Sequence, residues 1–270
     1  MDLSGLVQAQ VQRPVTPMPS NDTGPSTIQG VVVVLLVEYL PKHKGWGWLR
    51  LAQGQASLQQ VPGLRFAKVM GSGHQGGFSI RPSASHQGLI TVFDDAASAQ
   101  AFLQGPQIEA YKERARQFWA GLMCVDSARG AWDGHLWGNT PSRSLLDFEN
   151  KLDSSGQGPL AVITRASIRP AKAMAFWRFA PSAQTDLENA PGCTLAIGLG
   201  EAPLLRQCTF SLWQNTPSML AYAHGGAHQT ALEAAYKNDF FAESLFVRMR
   251  VMQQEGLWQQ PGQPGVSLTP

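Results

Sequence analysis

The stretch Gly198–His228, GLGEAPLLRQCTFSLWQNTPSMLAYAHGGAH, decides the fold. It reads as strand, turn, strand and helix, then a Gly225-Gly226 break that opens a new helix carrying His228. Pro217 suits the first turn of the earlier helix, with Thr216 as its cap. A weaker copy of the pattern lies around residues 63–111. Gly63–Ala67 (GLRFA) aligns with Gly192–Ala196 (GCTLA), and Gly71 with Gly200, at an offset of 129. Phe93 then aligns with Trp213 and Ser98 with Ser218, at an offset of 120. The difference falls in the Gly- and Ser-rich piece around His74–Gly88, which is long enough to cover a site. Only the second copy carries the histidine, so one copy is expected to keep a site that the other supports.

Working outward, the run Val31–Val37 is β-branched and apolar, the mark of a buried strand. The spacing predicts a helix over Trp46–Gln60, strands over Leu64–Met70 and Leu89–Phe93, a helix capped by Asp94 or Asp95, and a strand over Phe118–Val125. The second half repeats this order. It has strands at Ala161–Ile168, Cys193–Gly198, Cys208–Trp213 and Leu245–Met252, and helices from Ala171 and from His228. The expected fold is α+β, a duplicated ferredoxin-like β-α-β-β-α-β repeat of the dimeric α+β barrel type, enclosing a barrel-like cavity. Its expected parts are a disordered tail (1–29), a first half (30–132), a linker (133–158), a second half (159–258) and a C-terminal tail (259–270).

The chain has 270 residues, a net charge of +2 and no long basic block, which removes the electrostatic footprint of nucleic-acid binding. Three cysteines without CxxC spacing make no disulfide framework and fit a reducing cytoplasm. The N-terminus lacks the pattern of a signal peptide, and no apolar run approaches the roughly 20 residues of a membrane span. Contact with the membrane surface stays open.

His228 shares a helical stripe with Ala231, Leu232 and Ala235, so it points inward. A neutral imidazole there is either a core histidine bonded to a carbonyl or a ligand for a metal or haem iron. His224 is separated from it by the glycine pair. Arg129, in SARGAW (127–132), can clamp a carboxylate, and Trp132 can wall a flat ligand; an ordinary turn fits the same spacing. Arg165 and Arg169 share one face of a strand, and if that face is buried they require anions. Cys193 and Cys208 read as buried, inert thiols rather than haem ligands. No phosphate loop, HExxH, catalytic triad or paired-carboxylate motif is present.

At these residues the chain resembles the spheroidene monooxygenase family of carotenoid ketolases. The resemblance rests on PGLRFAKVMGSG (62–73), SARGAW (127–132), TRASIRP (164–170), FWR (176–178), IGLGEAP (197–203), TFSLW (209–213), GGAH (225–228) and FFAESLFVR (240–248). These pieces occur in order over roughly residues 30–258. The resemblance implies a monooxygenase that introduces a keto group into an acyclic, lipophilic carotenoid by successive hydroxylations. It implies haem b as the iron cofactor, dioxygen as co-substrate and a reduced ferredoxin-type electron donor. It maps the axial ligand onto His228. Arg129 and Arg165 are the expected haem-propionate partners, with Trp132 beside them. A cytoplasmic protein at the inner or photosynthetic membrane follows, with no expectation for the oligomer. Rival readings are a dehydratase-like haem enzyme on the same barrel, a non-catalytic haem or lipid binder, and an interaction module without a site.

Overall fold

Val31–Tyr39 forms strand β2, and every residue of it is buried, because both faces of the strand are covered. In this computed structural model, which describes residues 26–145, 159–178, 180–202 and 204–259, the strands in chain order are β1 (Thr27–Ile28), β2, β3 (Leu64–Gly73), β4 (Pro82–Phe93), β5 (Ala115–Trp132), β6 (His135–Trp137), β7 (Leu160–Ile168), β8 (Cys193–Ala202), β9 (Arg206–Trp213) and β10 (Phe241–Leu257). The helices are α1 (Lys44–Gln53), α2 (Ala96–Leu103), α3 (Pro106–Lys112), α4 (Ala173–Phe176), α5 (Ala180–Glu188), α6 (Thr216–Ala223) and α7 (Gly226–Lys237).

Eight strands close into an antiparallel barrel in the order β5-β2-β4-β3-β8-β9-β7-β10, with β10 returning to β5. Each half contributes four strands in the same order, β5-β2-β4-β3 and β10-β7-β9-β8. The halves meet along the long β5–β10 ladder and through a short β3–β8 contact in which Gly71 pairs with Gly200. Small contacts recur as well. Asp94 N donates to Gly63 O (2.9 Å), and Gln214 N to Gly192 O (2.8 Å). Both glycines have φ in the left-handed region (+69° and +81°) and stand where a Cβ would strike Ser98 or Ser218. The Asp95 side chain caps α2 by accepting from Ser98 N (2.7 Å). Asn215, not Thr216, does the same for α6 through Ser218 N (2.9 Å).

The barrel interior is packed. Val32, Val34, Met70, Trp119, Met123, Ile163, Phe210 and Met249 belong to one core drawn from all eight strands, in place of the expected cavity. The outer layers differ between the halves. In the first, α2 and α3 lie on β2, β4 and β5 and bury Val31, Val33, Leu35 and Val37. In the second, α6 rests on β9 and α5 on β8, while the main contacts of α7 are with α5 and α6.

Several boundaries move. SARGAW lies inside β5, and not in a turn after it, because β10 pairs with it through Leu245. The expected linker opens with a two-residue hairpin, Asp133-Gly134, into β6, and residues 146–158 of it lie outside the described residues. Thr27–Ile28 of the expected tail pairs with β6, whereas residues 1–25 and 260–270 lie outside the described residues.

Candidate functional site

His228 sits in the first turn of α7, just past the Gly225-Gly226 break that ends α6. Its Nδ1 lies 3.3 Å from the carbonyl oxygen of Ala223. A proton on Nδ1 makes this a hydrogen bond and leaves the Nε2 lone pair free. Burial holds the imidazole pKa below its ordinary value; the Ala223 carbonyl opposes this more weakly. The ring is therefore neutral at neutral pH. It leans on the Tyr222 ring (4.7 Å between centroids), which leans on fully buried Trp213 (5.3 Å). His224 is exposed on the far side of the break.

The outer face of the sheet beneath this helical layer has an unusual floor. Strand pairing sets Arg129 (β5), Phe246 (β10), Thr164 (β7), Thr209 (β9) and Gly198 (β8) side by side across five strands. Thr164 and Phe246 (38%) are exposed, although they lie on the inner strands of the second half's sheet. The repeat offset puts Leu35, 1% exposed, at the matching place in the first half. Small side chains and an α7 that leans on helices rather than strands leave room over Thr164 that the first half fills. Arg129 at the edge of this floor is exposed and makes no ion pair among the described residues. Residues 74–81 reach over the other edge, where the Gly77 carbonyl lies against Gly198 and Phe78 N donates to Gln184 Oε1 of α5 (2.6 Å).

Arg165 and Trp132 are elsewhere, which corrects their expected role beside a haem. Arg165 alternates out of phase with Thr164, so it faces the barrel interior and is 1% exposed. It pairs with Glu243, with Asp133 (3.1 Å) and with Glu201 (3.5 Å), and lies over the Trp132 ring. Trp132 Nε1 donates to Glu201 (2.8 Å). Lys68 and Arg206 join the same carboxylates. The expected anions for Arg165 are thus the protein's own, and the cluster closes one end of the barrel. For both Asp133 and Glu243, burial raises the pKa, but the opposing interactions win and hold it below the ordinary value. Those interactions are Lys68 and Arg165 for Asp133, and the Gly134 and Asp133 amides with Arg165 for Glu243. Arg169 is exposed and pairs with Asp239.

The Ala223 contact matches the carbonyl-bonded alternative for His228, whereas the floor has no counterpart among the expectations. An offset comparison of β2 with β7, which sets Leu35 against Thr164, carries the signal for it. Clefts of about 380 and 330 Å³ lie against β3 and α3 in the first half, and neither is lined by His228.

Among the described residues no group of three or more His, Cys, Asp or Glu converges, so a bare metal ion has no ligand set here. A lone neutral imidazole, on the half whose outer sheet face leaves Thr164 exposed, suits an iron whose other ligands come from a planar macrocycle. Cys193 and Cys208 do not compete. Burial pushes the Cys193 thiol up to about 12 and raises Cys208 as well, so both stay protonated.

No family model matches the chain. An aldoxime dehydratase crystal structure superposes with a TM-score of 0.52 at 11% identity, over 83% of this chain and 81% of that one, a likeness of fold alone. The spheroidene monooxygenase of Rhodobacter capsulatus is 30% identical over 79% of this chain and 86% of its own length. That of Rubrivivax gelatinosus is 43% identical over 96% of this chain and 97% of its own. The chain belongs to the spheroidene monooxygenase family.

Proposed function

We propose that the protein is a haem-dependent monooxygenase that introduces a keto group into an acyclic carotenoid of the spheroidene type. Family membership supports the substrate class. The observation that carries the cofactor is a neutral, half-buried His228 with its Nδ1 tied to Ala223, in the half of the barrel whose outer face leaves Thr164 exposed where the first half places a buried leucine. His228 would hold the iron of haem b through Nε2. The bound haem would supply dioxygen activation, with electrons from a reduced ferredoxin-type donor.

The protein's own residues supply the rest. The Ala223 carbonyl orients the imidazole and raises its basicity, which offsets part of the weaker electronic push of histidine relative to thiolate. Tyr222 and Trp213 wall the ring and keep water from that side. Arg129 is free to receive a carboxylate at the edge of the floor, the role first expected of it together with Arg165. Because the barrel interior is packed, the polyene would lie outside the barrel against the floor, near Phe246. Two hydroxylations at one methylene, each consuming one dioxygen, two electrons and two protons and releasing water, give a geminal diol. Loss of a further water leaves the ketone.

The test is turnover of spheroidene by the purified, haem-supplied protein with reduced ferredoxin, in air and under argon. The ketone should form only when dioxygen and reductant are both present. A product formed without either would point to Lewis-acid chemistry of the dehydratase kind.

A further inference from the structure

The segment from Tyr39 to Phe93 contains six Lys and Arg and no Asp or Glu, whereas the remainder holds 15 Lys and Arg against 19 Asp and Glu. Two of the six, Arg65 and Lys68, are used in ion pairs with Asp94, Asp133 and Glu201. The other four, Lys42, Lys44, Arg50 and Arg81, make no ion pair among the described residues. They lie on α1 and its approach and on the loop before β4, at the barrel end where β2 finishes and β4 begins. The helix α1 and the turn at residues 74–76 both pack against β4. Two carboxylates stand at this end: Glu38, buried and tied to Arg116 and Gln117, and Glu113, exposed and paired with Arg114.

The same end exposes large apolar side chains. Trp48 is 47% exposed, Leu49 51% and Ile80 53%. Trp48 and Leu49 fall on the α1 face opposite Gly47, which packs against Tyr39. A helix with tryptophan and leucine outward, bordered by unpaired lysine and arginine, has the composition that settles at a lipid interface.

We propose that the face formed by α1 and the 74–81 loop docks onto an anionic lipid bilayer. Trp48, Leu49 and Ile80 enter the headgroup boundary, while Lys42, Lys44 and Arg81 meet lipid phosphates. Charge complementarity selects this occupant: Lys42, Lys44 and Arg81 have no ion-pair partner among the described residues, and the exposed acid nearby, Glu113, is paired with Arg114, so the face suits a surface of fixed negative charge. The loop also links this face to the His228 side of the molecule. Ile80 points outward, and Phe78, two residues earlier, packs into the cluster that holds Trp213, Tyr222 and Cys193. Phe78 lies against Gly198 of the floor, so two apolar side chains of one loop connect the docked face with that side of the sheet. The docking claim goes beyond the oxygenase reading. Vesicle binding requires neither haem nor substrate, so either claim can fail alone.

The full-length protein is sedimented with vesicles of phosphatidylcholine alone and with about one part phosphatidylglycerol to three of phosphatidylcholine. Binding to the anionic vesicles is expected, with a blue shift of tryptophan emission. Trp48→Ser with Leu49→Ser and Ile80→Ser should weaken it about tenfold or more and abolish the shift. Lys42→Gln with Arg81→Gln should weaken it roughly fivefold per charge. Both variants alter exposed side chains, and unchanged far-UV circular dichroism verifies their folding. Absence of wild-type binding to anionic vesicles, or equal binding by the variants, overturns the proposal. A dimer that the triple substitution dissociates, without vesicle binding, also overturns it and assigns the face to a second copy.

Discussion

Replacing Thr164 with leucine separates a floor built for a ligand from a merely loose patch of sheet. The substitution installs at β7 the residue that β2 carries at the matching position, Leu35, which is 1% exposed under α2. A leucine buried from water stabilises a fold by about 1.5–3 kcal/mol. At Thr164 nothing covers the side chain, so the free protein should change by no more than about 0.5 kcal/mol, the usual range for surface substitutions. The bound state differs. Extra methyl groups forced into a filled space cost about 1–3 kcal/mol, which weakens haem by roughly five- to 150-fold. Thermal unfolding without haem supply measures the first quantity, and haem titration followed at the Soret band measures the second. An unchanged melting temperature with weakened haem binding is the expected pair. A stabilisation of about 2 kcal/mol with unaltered haem affinity would refute the reasoning, because it would mean that the helical layer closes over Thr164 as it does over Leu35.

Other perturbations follow from the same geometry. Arg165→Met should lower stability by about 2–4 kcal/mol in urea unfolding, because it leaves Glu201 and Asp133 with Lys68 and Arg206 as their only cations and Glu243 with no cation, only the Asp133 and Gly134 amides. It should leave haem affinity intact, since the cluster lies across the sheet from His228. Asp133 and Glu243 both have depressed pKa values, so their contribution to stability is full above the unfolded carboxylate range of about 4. It is lost as pH falls through the lower folded values; the urea midpoint should drop over that window, less steeply in Glu243→Gln. Phe78→Ala should slow turnover of a vesicle-borne carotenoid without altering the haem spectrum, because Phe78 packs against the Trp213 cluster while the His228 ring is held by Ala223 and Tyr222.

The sequence made the barrel legible where periodicity and capping act locally. Val31–Val37 can only be a strand covered on both faces. The offsets of 129 and 120 found pairs that the structure uses in the same way, Gly63 with Ser98 and Gly192 with Ser218. The Gly225-Gly226 break placed His228 in the first turn of its helix, but of the expected stripe only Ala235 is buried, and Leu232 is 40% exposed. Other features depend on contacts far apart in the chain. Arg129-Gly130 looks like a turn until Leu245 pairs with Gly130 and extends β5 to 18 residues. Arg165 and Thr164 are adjacent in sequence, and strand alternation sends one into the barrel and the other to the outer floor; nothing local says which. Asp133-Gly134 between Trp132 and His135 is a hairpin signal, at the position where a linker was expected to begin. Its φ values of +51° and +78° are those of a two-residue turn. The packed interior was hidden because the outcome depends on how Trp119, Phe210 and three methionines meet across the barrel.

The central claim is that His228 holds a haem iron against the floor of the second half. The most direct measurement is the absorption spectrum of the haem-supplied wild type beside His228→Ala, with free imidazole added back to the variant. The account predicts a Soret band in the wild type that is lost or shifted in the variant and restored by imidazole. A folded wild type without a Soret band, or a variant whose band is unchanged, would contradict it.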